Sequence, residues 1–208
     1  MTLHRMVTPI ESDGPMKTTR MTARVVGVLL LAAFLLYGLG STLAMSAPHG
    51  ALMTVGLAMM LANCVAIVAI GVLLVPVLRP HSPAVAAVYL ATRIFEAAFL
   101  AVGAFALSAG AVGVNVAAYN IAMAGLGIGS LFFCAVLYRS RLVPAFLAVW
   151  GLVGYAAFAV GSLLELAGVA GAGLIAAVPG GLFEIFLAVW LIARGFNTHR
   201  ASTVAVHA

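Results

Sequence analysis

Arg93 and Glu96 are two ionisable residues near the middle of an otherwise apolar stretch, Pro83–Gly110. A charged side chain at the centre of a bilayer costs several kcal/mol on most scales, so it is rare there without a partner or a purpose. On a helix, residues three or four positions apart share a face, and Tyr89 lies on the same face as this pair. The group is therefore the first candidate for a functional site inside a membrane.

A second carboxylate, Glu184, is predicted to face Arg93 from another apolar stretch. A helix rises about 1.5 Å per residue, which places Arg93 roughly 14 Å and Glu96 roughly 18 Å from one end of their helix. Glu184 precedes Arg194 at the same end of an antiparallel helix, at a depth of roughly 15 Å. We therefore predict that Arg93 pairs with Glu184, since one guanidinium can bind two carboxylates. The group is either a functional site or a lock between two helices.

The composition excludes a soluble protein and a nucleic-acid-binding protein. The chain has 208 residues, of which 65% are hydrophobic and only 7% are charged, whereas a soluble domain keeps roughly a quarter of its residues charged. The formal charge of +5 comes from dispersed basic residues, so nucleic acid is not an expected partner. Cys64 and Cys134 lie in apolar segments without metal-ligand spacing, so neither a metal nor a cofactor is expected. The expected partner is the lipid bilayer.

The apolar stretches predict an all-α polytopic membrane protein, a bundle of six transmembrane helices. Each span needs about 20 apolar residues, and turn residues or charges separate most of the stretches. Such short links make consecutive helices antiparallel neighbours. The predicted spans are Thr22–Met45, Ala51–Leu78, Ala84–Ala109, Gly113–Tyr138, Val143–Gly168 and Gly171–Arg194.

The basic residues predict the orientation of the bundle. They flank the start of the first span, follow the second and fourth spans, and end the sixth, while the other three links contain no Lys or Arg. By the positive-inside rule, both termini are cytoplasmic and the protein is a multi-pass protein of the cytoplasmic (inner) membrane. The predicted division is a disordered cytoplasmic tail over residues 1–20, a membrane domain over 21–196 and a second cytoplasmic tail over 197–208.

Other polar or helix-breaking residues could contribute to the same site. Asn63 in the second span and Asn120 in the fourth could line a shared cavity, or they could hydrogen-bond between helices. Pro179 and the two glycines after it precede Glu184. They indicate either a broken helix of the kind that forms transporter sites or a simple proline kink. Gly127 belongs to a stripe of small residues that is predicted to let another helix approach closely.

Several strings resemble one protein family, and they are Arg93–Glu96, Leu137–Pro144, Trp150–Gly151 and Glu184 together with Val189–Phe196. The chain from Lys17 to Phe196 is similar to the bacterial integral membrane family catalogued as domain of unknown function 4386. The resemblance implies six transmembrane helices and no known activity.

The sequence leaves three functions open. The protein could bind or move a small lipophilic molecule, in which case a homodimer is expected. It could be an intramembrane acid–base enzyme acting on a lipid or terpenoid, with Glu96, Glu184 and Arg93 as catalytic residues. A carboxyl group in an apolar cavity can act as a general acid, because its ionised form is disfavoured there. It could also be a structural or accessory subunit. Binding is the preferred interpretation, and its predicted ligand-binding residues are Tyr89, Arg93, Glu96, Asn63, Asn120 and Glu184.

Overall fold

The computed structural model describes residues 14–46 and 49–197. Within these ranges the chain forms six α-helices and no β-strand. All six are long and apolar enough to cross a membrane, which confirms the predicted all-α bundle of six transmembrane helices. The helices are α1 (Gly14–Ser46), α2 (Ala51–Leu78), α3 (Pro83–Ser108), α4 (Val112–Ser140), α5 (Ala145–Leu166) and α6 (Ala172–Ala193).

The helices are arranged in a closed ring. Each helix packs against the next one along the chain, and α1 also packs against α6. Because short links impose antiparallel neighbours, one end of the bundle contains the start of α1, the α2–α3 and α4–α5 links and the end of α6. We call this the terminal end. The links at the opposite end contain no Lys or Arg. The basic residues at the terminal end include Arg20, Arg24, Arg79, Arg139, Arg141 and Arg194.

Local sequence signals explain where several helices begin. Ser82 precedes α3, and its side chain accepts a hydrogen bond from the backbone N–H of Val85 at 3.3 Å, which satisfies a donor that the first turn leaves free. At the start of α6, the Glu165 carboxylate accepts the backbone N–H of Gly173 at 3.0 Å. Gly171, just before α6, has a φ of 81°, a left-handed conformation that glycine adopts without steric cost.

Glycines allow the closest contacts between helices. A Cβ atom on Gly127 of α4 would lie 2.6 Å from backbone atoms of Tyr155 and Ala159 in α5. A Cβ atom on Gly56 of α2 would lie 2.5 Å from the carbonyl oxygen of Gly40 in α1. Since these neighbours are backbone atoms, they cannot rotate aside. The predicted packing role of Gly127 is therefore confirmed, and small residues let the backbones of neighbouring helices approach.

The first helix begins earlier than the sequence predicts. Helix α1 starts at Gly14 rather than at Thr22, so it includes residues 14–20 of the predicted tail. A helix can continue beyond the bilayer because its hydrogen bonds are internal to the helix and its charged side chains can stay in water. The rest of the predicted tail, residues 1–13, lies outside the described residues.

The structure decides between the two alternatives for α6, and it describes the first part of the segment after the helix. Helix α6 continues through Pro179 without interruption, so the structure has no broken helix at this position. A proline removes one helical donor, and neighbouring groups can compensate for the loss. Beyond α6, the backbone N–H of Asn197 donates to the carbonyl oxygen of Leu142 at 2.9 Å. Asn197 is thus tied to the α4–α5 link, while the predicted tail over residues 198–208 lies outside the described residues.

We predict that Gly127→Ala destabilises the bundle. The new methyl group would press against the backbone of α5, and overpacking of this kind costs about 1–3 kcal/mol. Gly113→Ala is the matched control, because a Cβ atom at that helical position meets nothing within 4 Å. Alanine there should stabilise the helix by up to about 1 kcal/mol. The measurement is the thermal unfolding midpoint in detergent, and equal midpoints for the two variants would contradict the close α4–α5 contact.

Candidate functional site

A buried ionic cluster lies at mid-height of the bundle. Among the described residues, the charged side chains that are buried are Arg93, Glu96 and Glu184. Arg93 Nη1 lies 2.8 Å from Glu96 Oε2, and Arg93 Nη2 lies 3.8 Å from Glu184 Oε1. The predicted pairing of Arg93 with Glu184 is therefore present and joins α3 to α6. At 3.8 Å it is an ion pair without a direct hydrogen bond.

Two tyrosines donate or accept further hydrogen bonds in this cluster. The Tyr89 hydroxyl oxygen accepts from Arg93 Nε at 2.9 Å and from Arg93 Nη2 at 2.7 Å. The Tyr155 hydroxyl of α5 donates to Glu184 Oε1 at 2.7 Å. The sequence analysis missed Tyr155, although its depth of about 15 Å from the start of α5 matches that of Arg93. Comparing the depths of all polar residues would have indicated it.

A cavity of about 220 Å³ extends from the cluster toward the opposite end of the bundle. The ionic cluster and Asn63 form its polar part, and the remaining walls are apolar or aromatic. All six helices contribute to the walls, so the cavity is the centre of the ring. Its lining residues outside the ionic cluster are Leu30, Ala33, Phe34, Tyr37, Gly38, Asn63, Ile67, Ile70, Leu100, Tyr119, Met123, Leu126 and Phe158.

Asn63 is the uncharged polar residue most directly placed for a ligand. It is only 2% exposed, it lines the cavity, and its Oδ1 atom accepts no hydrogen bond within the described structure. Buried amide oxygens in native proteins nearly always have a partner. Asn63 therefore offers an unused hydrogen-bonding group at the edge of the cavity.

Two other predicted ligand-binding residues lie elsewhere. Tyr89 is buried beneath Arg93, stacks on Phe133 with ring centroids 4.4 Å apart, and is not among the residues that line the cavity. Asn120 donates to the carbonyl oxygen of Val116 at 2.9 Å, and its Oδ1 atom faces Gly173 near the start of α6. Asn120 thus lies where α4 faces the start of α6, outside the cavity lining. Tyr89 hydrogen-bonds Arg93 but does not line the cavity.

Aromatic residues at the other end of the cavity were missed in the sequence. Tyr37 of α1 and Tyr119 of α4 stack there with ring centroids 5.4 Å apart. Phe34 and Gly38 of α1 also line the cavity, and both are exposed on the outside of the bundle. The cavity therefore opens beside α1. Aromatic residues are common in apolar helices, so these residues gave no distinctive signal in the sequence.

The seam between α1 and α6 is tightest near the terminal end. A Cβ atom on Gly27 of α1 would lie 2.6 Å from the carbonyl oxygen of Ala188 in α6. Further along, the Phe34 ring lies 3.4 Å from the Cβ position of Gly181. Beyond that contact, Leu174 of α6 is 77% exposed, so no neighbouring helix of the described chain covers its side chain. The exposed cavity residues, Phe34 and Gly38, thus lie beyond the close contact that α1 makes with α6 at Gly27.

The family can now be stated from a comparison of the whole chain. The sequence model of one family, described as a domain of unknown function (DUF4386), matches residues 23–195. The chain belongs to this family. The match confirms the resemblance drawn from the short strings, and it covers α1 from Ala23 onward and all of α2 to α6. No curated protein and no solved structure matches the chain. The description of DUF4386 names no activity, so the function has to be argued from the cavity.

We predict that Arg93→Met strongly destabilises the protein. It would leave two buried carboxylates without a counter-charge, and removing one partner of a buried ion pair costs about 3–5 kcal/mol. Arg93→Lys should lie between this variant and the wild type, because lysine keeps the charge but loses the planar fork of donors. The thermal unfolding midpoint of the protein in detergent measures the series.

The matched control for this series is Arg139→Met, at an exposed position in the last turn of α4. Exposed substitutions of this kind usually change stability by no more than about 0.5 kcal/mol. If Arg93→Met unfolds at the same temperature as Arg139→Met, the guanidinium does not hold the cluster together.

Proposed function

We propose that this protein binds a small lipophilic molecule in the central cavity, in the cytoplasmic membrane and with both termini in the cytoplasm. The observation that supports the proposal is a cavity with apolar walls and a few convergent polar groups, which is the usual composition of a small-molecule site. An apolar cavity of about 150 Å³ can hold benzene. A volume of about 220 Å³ therefore suits a molecule somewhat larger than benzene.

The polar part of the ligand is proposed to lie against Glu96, Glu184 and Asn63. Arg93 uses Oε2 of Glu96, and Tyr155 uses Oε1 of Glu184. The second oxygen of each carboxylate makes no hydrogen bond to the described part of the chain, and both residues line the cavity. A ligand head at this position would gain hydrogen bonds that the protein itself leaves open, while its apolar body contacts Met123, Leu100 and their neighbours.

The ligand is proposed to enter from the bilayer beside α1. Phe34 and Gly38 are exposed residues of the cavity lining, and the surrounding outer surface is apolar, as Leu35 and Leu39 show with 61% and 54% exposure. Such a surface faces lipid in a membrane protein. A lipophilic molecule could reach the cavity directly from the hydrocarbon region without crossing the ionic cluster. In the proposed orientation the opening lies in the outer leaflet.

We predict that Gly38→Trp closes the cavity to a lipophilic probe. A Cβ atom at Gly38 meets nothing within 4 Å, so the substitution should fold. A helical side chain leans toward the N-terminus of its helix, which places the indole over the turn that contains Phe34. The measurement is photolabelling with trifluoromethyl phenyl diazirine, a small lipophilic carbene precursor. It is scored by peptide mass spectrometry as the ratio of labelled Met123, in the cavity, to labelled Ile128, on the lipid-facing surface.

The matched control is Gly113→Trp, since Gly113 is also helical, exposed and free of neighbours within 4 Å of its Cβ position, yet lies outside the cavity lining. Wild type and Gly113→Trp should show labelled Met123, and Gly38→Trp should lose most of it. Labelling confined to lipid-facing residues such as Ile128 in all three proteins would refute the proposed binding site.

A further inference from the structure

We infer that the ligand of this cavity has a cationic head and is a lipophilic amine. The inference rests on the proposed binding function and names the chemical class of the ligand. In the cluster, two carboxylates, Glu96 and Glu184, face one guanidinium, Arg93. When both carboxylates are ionised, one negative charge at the cavity has no counterpart in the cluster.

No other cationic side chain of the described chain can supply that counterpart. The buried charged residues are limited to the three members of the cluster. The groups that line the cavity from the other helices are uncharged: Tyr37 of α1, Asn63 of α2 and Tyr119 of α4. Tyr155, which contacts Glu184 from α5, is uncharged as well. A desolvated charge without a partner is costly, so the site is completed by a bound cation or by a proton.

The hydrogen-bonding groups at the cavity favour a cation with N–H donors. Glu96 Oε1, Glu184 Oε2 and Asn63 Oδ1 belong to lining residues, and none of them accepts a hydrogen bond from the residues that the structure describes. An ammonium group has up to three donors and no acceptor. Charge and hydrogen-bonding capacity therefore point to the same head group, because a proton on one carboxylate would neutralise the charge but add only a single O–H donor.

The rest of the cavity suits the body of such an amine. Phe34, Tyr37, Tyr119 and Phe158 line it and present aromatic rings to its apolar part. Together with the volume of about 220 Å³, these walls suit an amine with a single ring as its apolar body.

Competition between two probes of equal shape tests the inference. Benzylamine is protonated at neutral pH, whereas benzyl alcohol is neutral, and both are added during photolabelling of the wild-type protein with trifluoromethyl phenyl diazirine. Benzylamine is expected to halve the Met123-to-Ile128 labelling ratio at a concentration at least about tenfold lower than benzyl alcohol, because a charged group that meets a buried counter-charge binds more tightly. The ratio to Ile128 corrects for any change that either competitor causes in the partition of the diazirine into detergent or lipid.

Two variants show which group creates the preference. Glu96→Gln removes one negative charge with little change in shape, so it should abolish the preference for benzylamine while Met123 remains labelled. Glu165→Gln is the control: this carboxylate caps α6 outside the cavity lining, and a glutamine can still accept the Gly173 N–H, so the preference should persist.

The outcomes separate the two proposals. Equal competition by benzylamine and benzyl alcohol in the wild type would overturn the cationic head and leave the binding site standing. Failure to label Met123 in the wild type would overturn the binding site itself. The wild-type comparison decides the inference even if Glu96→Gln does not fold.

Discussion

The Arg93 guanidinium has to be neutralised and hydrogen-bonded inside an apolar bundle, because neither lipid nor hydrocarbon side chains can solvate it. Glu96, Glu184, Tyr89 and Tyr155 meet this requirement from three helices at one height. Their contacts fix the rotation of α3 and α6 about their own axes and the height of each helix in the bundle. Gly127 of α4 then lets α5 approach closely enough for Tyr155 to reach Glu184.

The same arrangement explains why the centre of the bundle is not filled. The helices pack mainly against their neighbours in a ring. Apolar side chains do not fill the space between the ionic cluster and the opposite end of the bundle. A polar centre next to an apolar space is a poor solution for stability alone, since a buried ion pair is often no more stabilising than a hydrophobic replacement. The proposed ligand would contact both parts.

The sequence predicted the fold well and the site incompletely. The lengths of the apolar stretches and the turn or charged residues between them located all six spans, and the bounds of α2 were predicted to the residue. The rise per residue brought Arg93 and Glu184 to the same height. Rotation about each helix axis was not predictable, because lipid-facing and core-facing positions are both apolar and the usual amphipathic period is lost. For this reason Asn120 was assigned to the site, and Tyr37, Tyr119 and Tyr155 were not.

The most direct test of a ligand-binding bundle is native mass spectrometry of the purified protein with its co-isolated molecules, comparing wild type with Glu184→Gln. The account predicts a specific small molecule that stays bound to the wild type and disappears in a variant whose unfolding midpoint is close to normal. If the wild type retains no molecule and Glu184→Gln is clearly less thermostable, the buried charges serve the fold alone and the ligand site is contradicted.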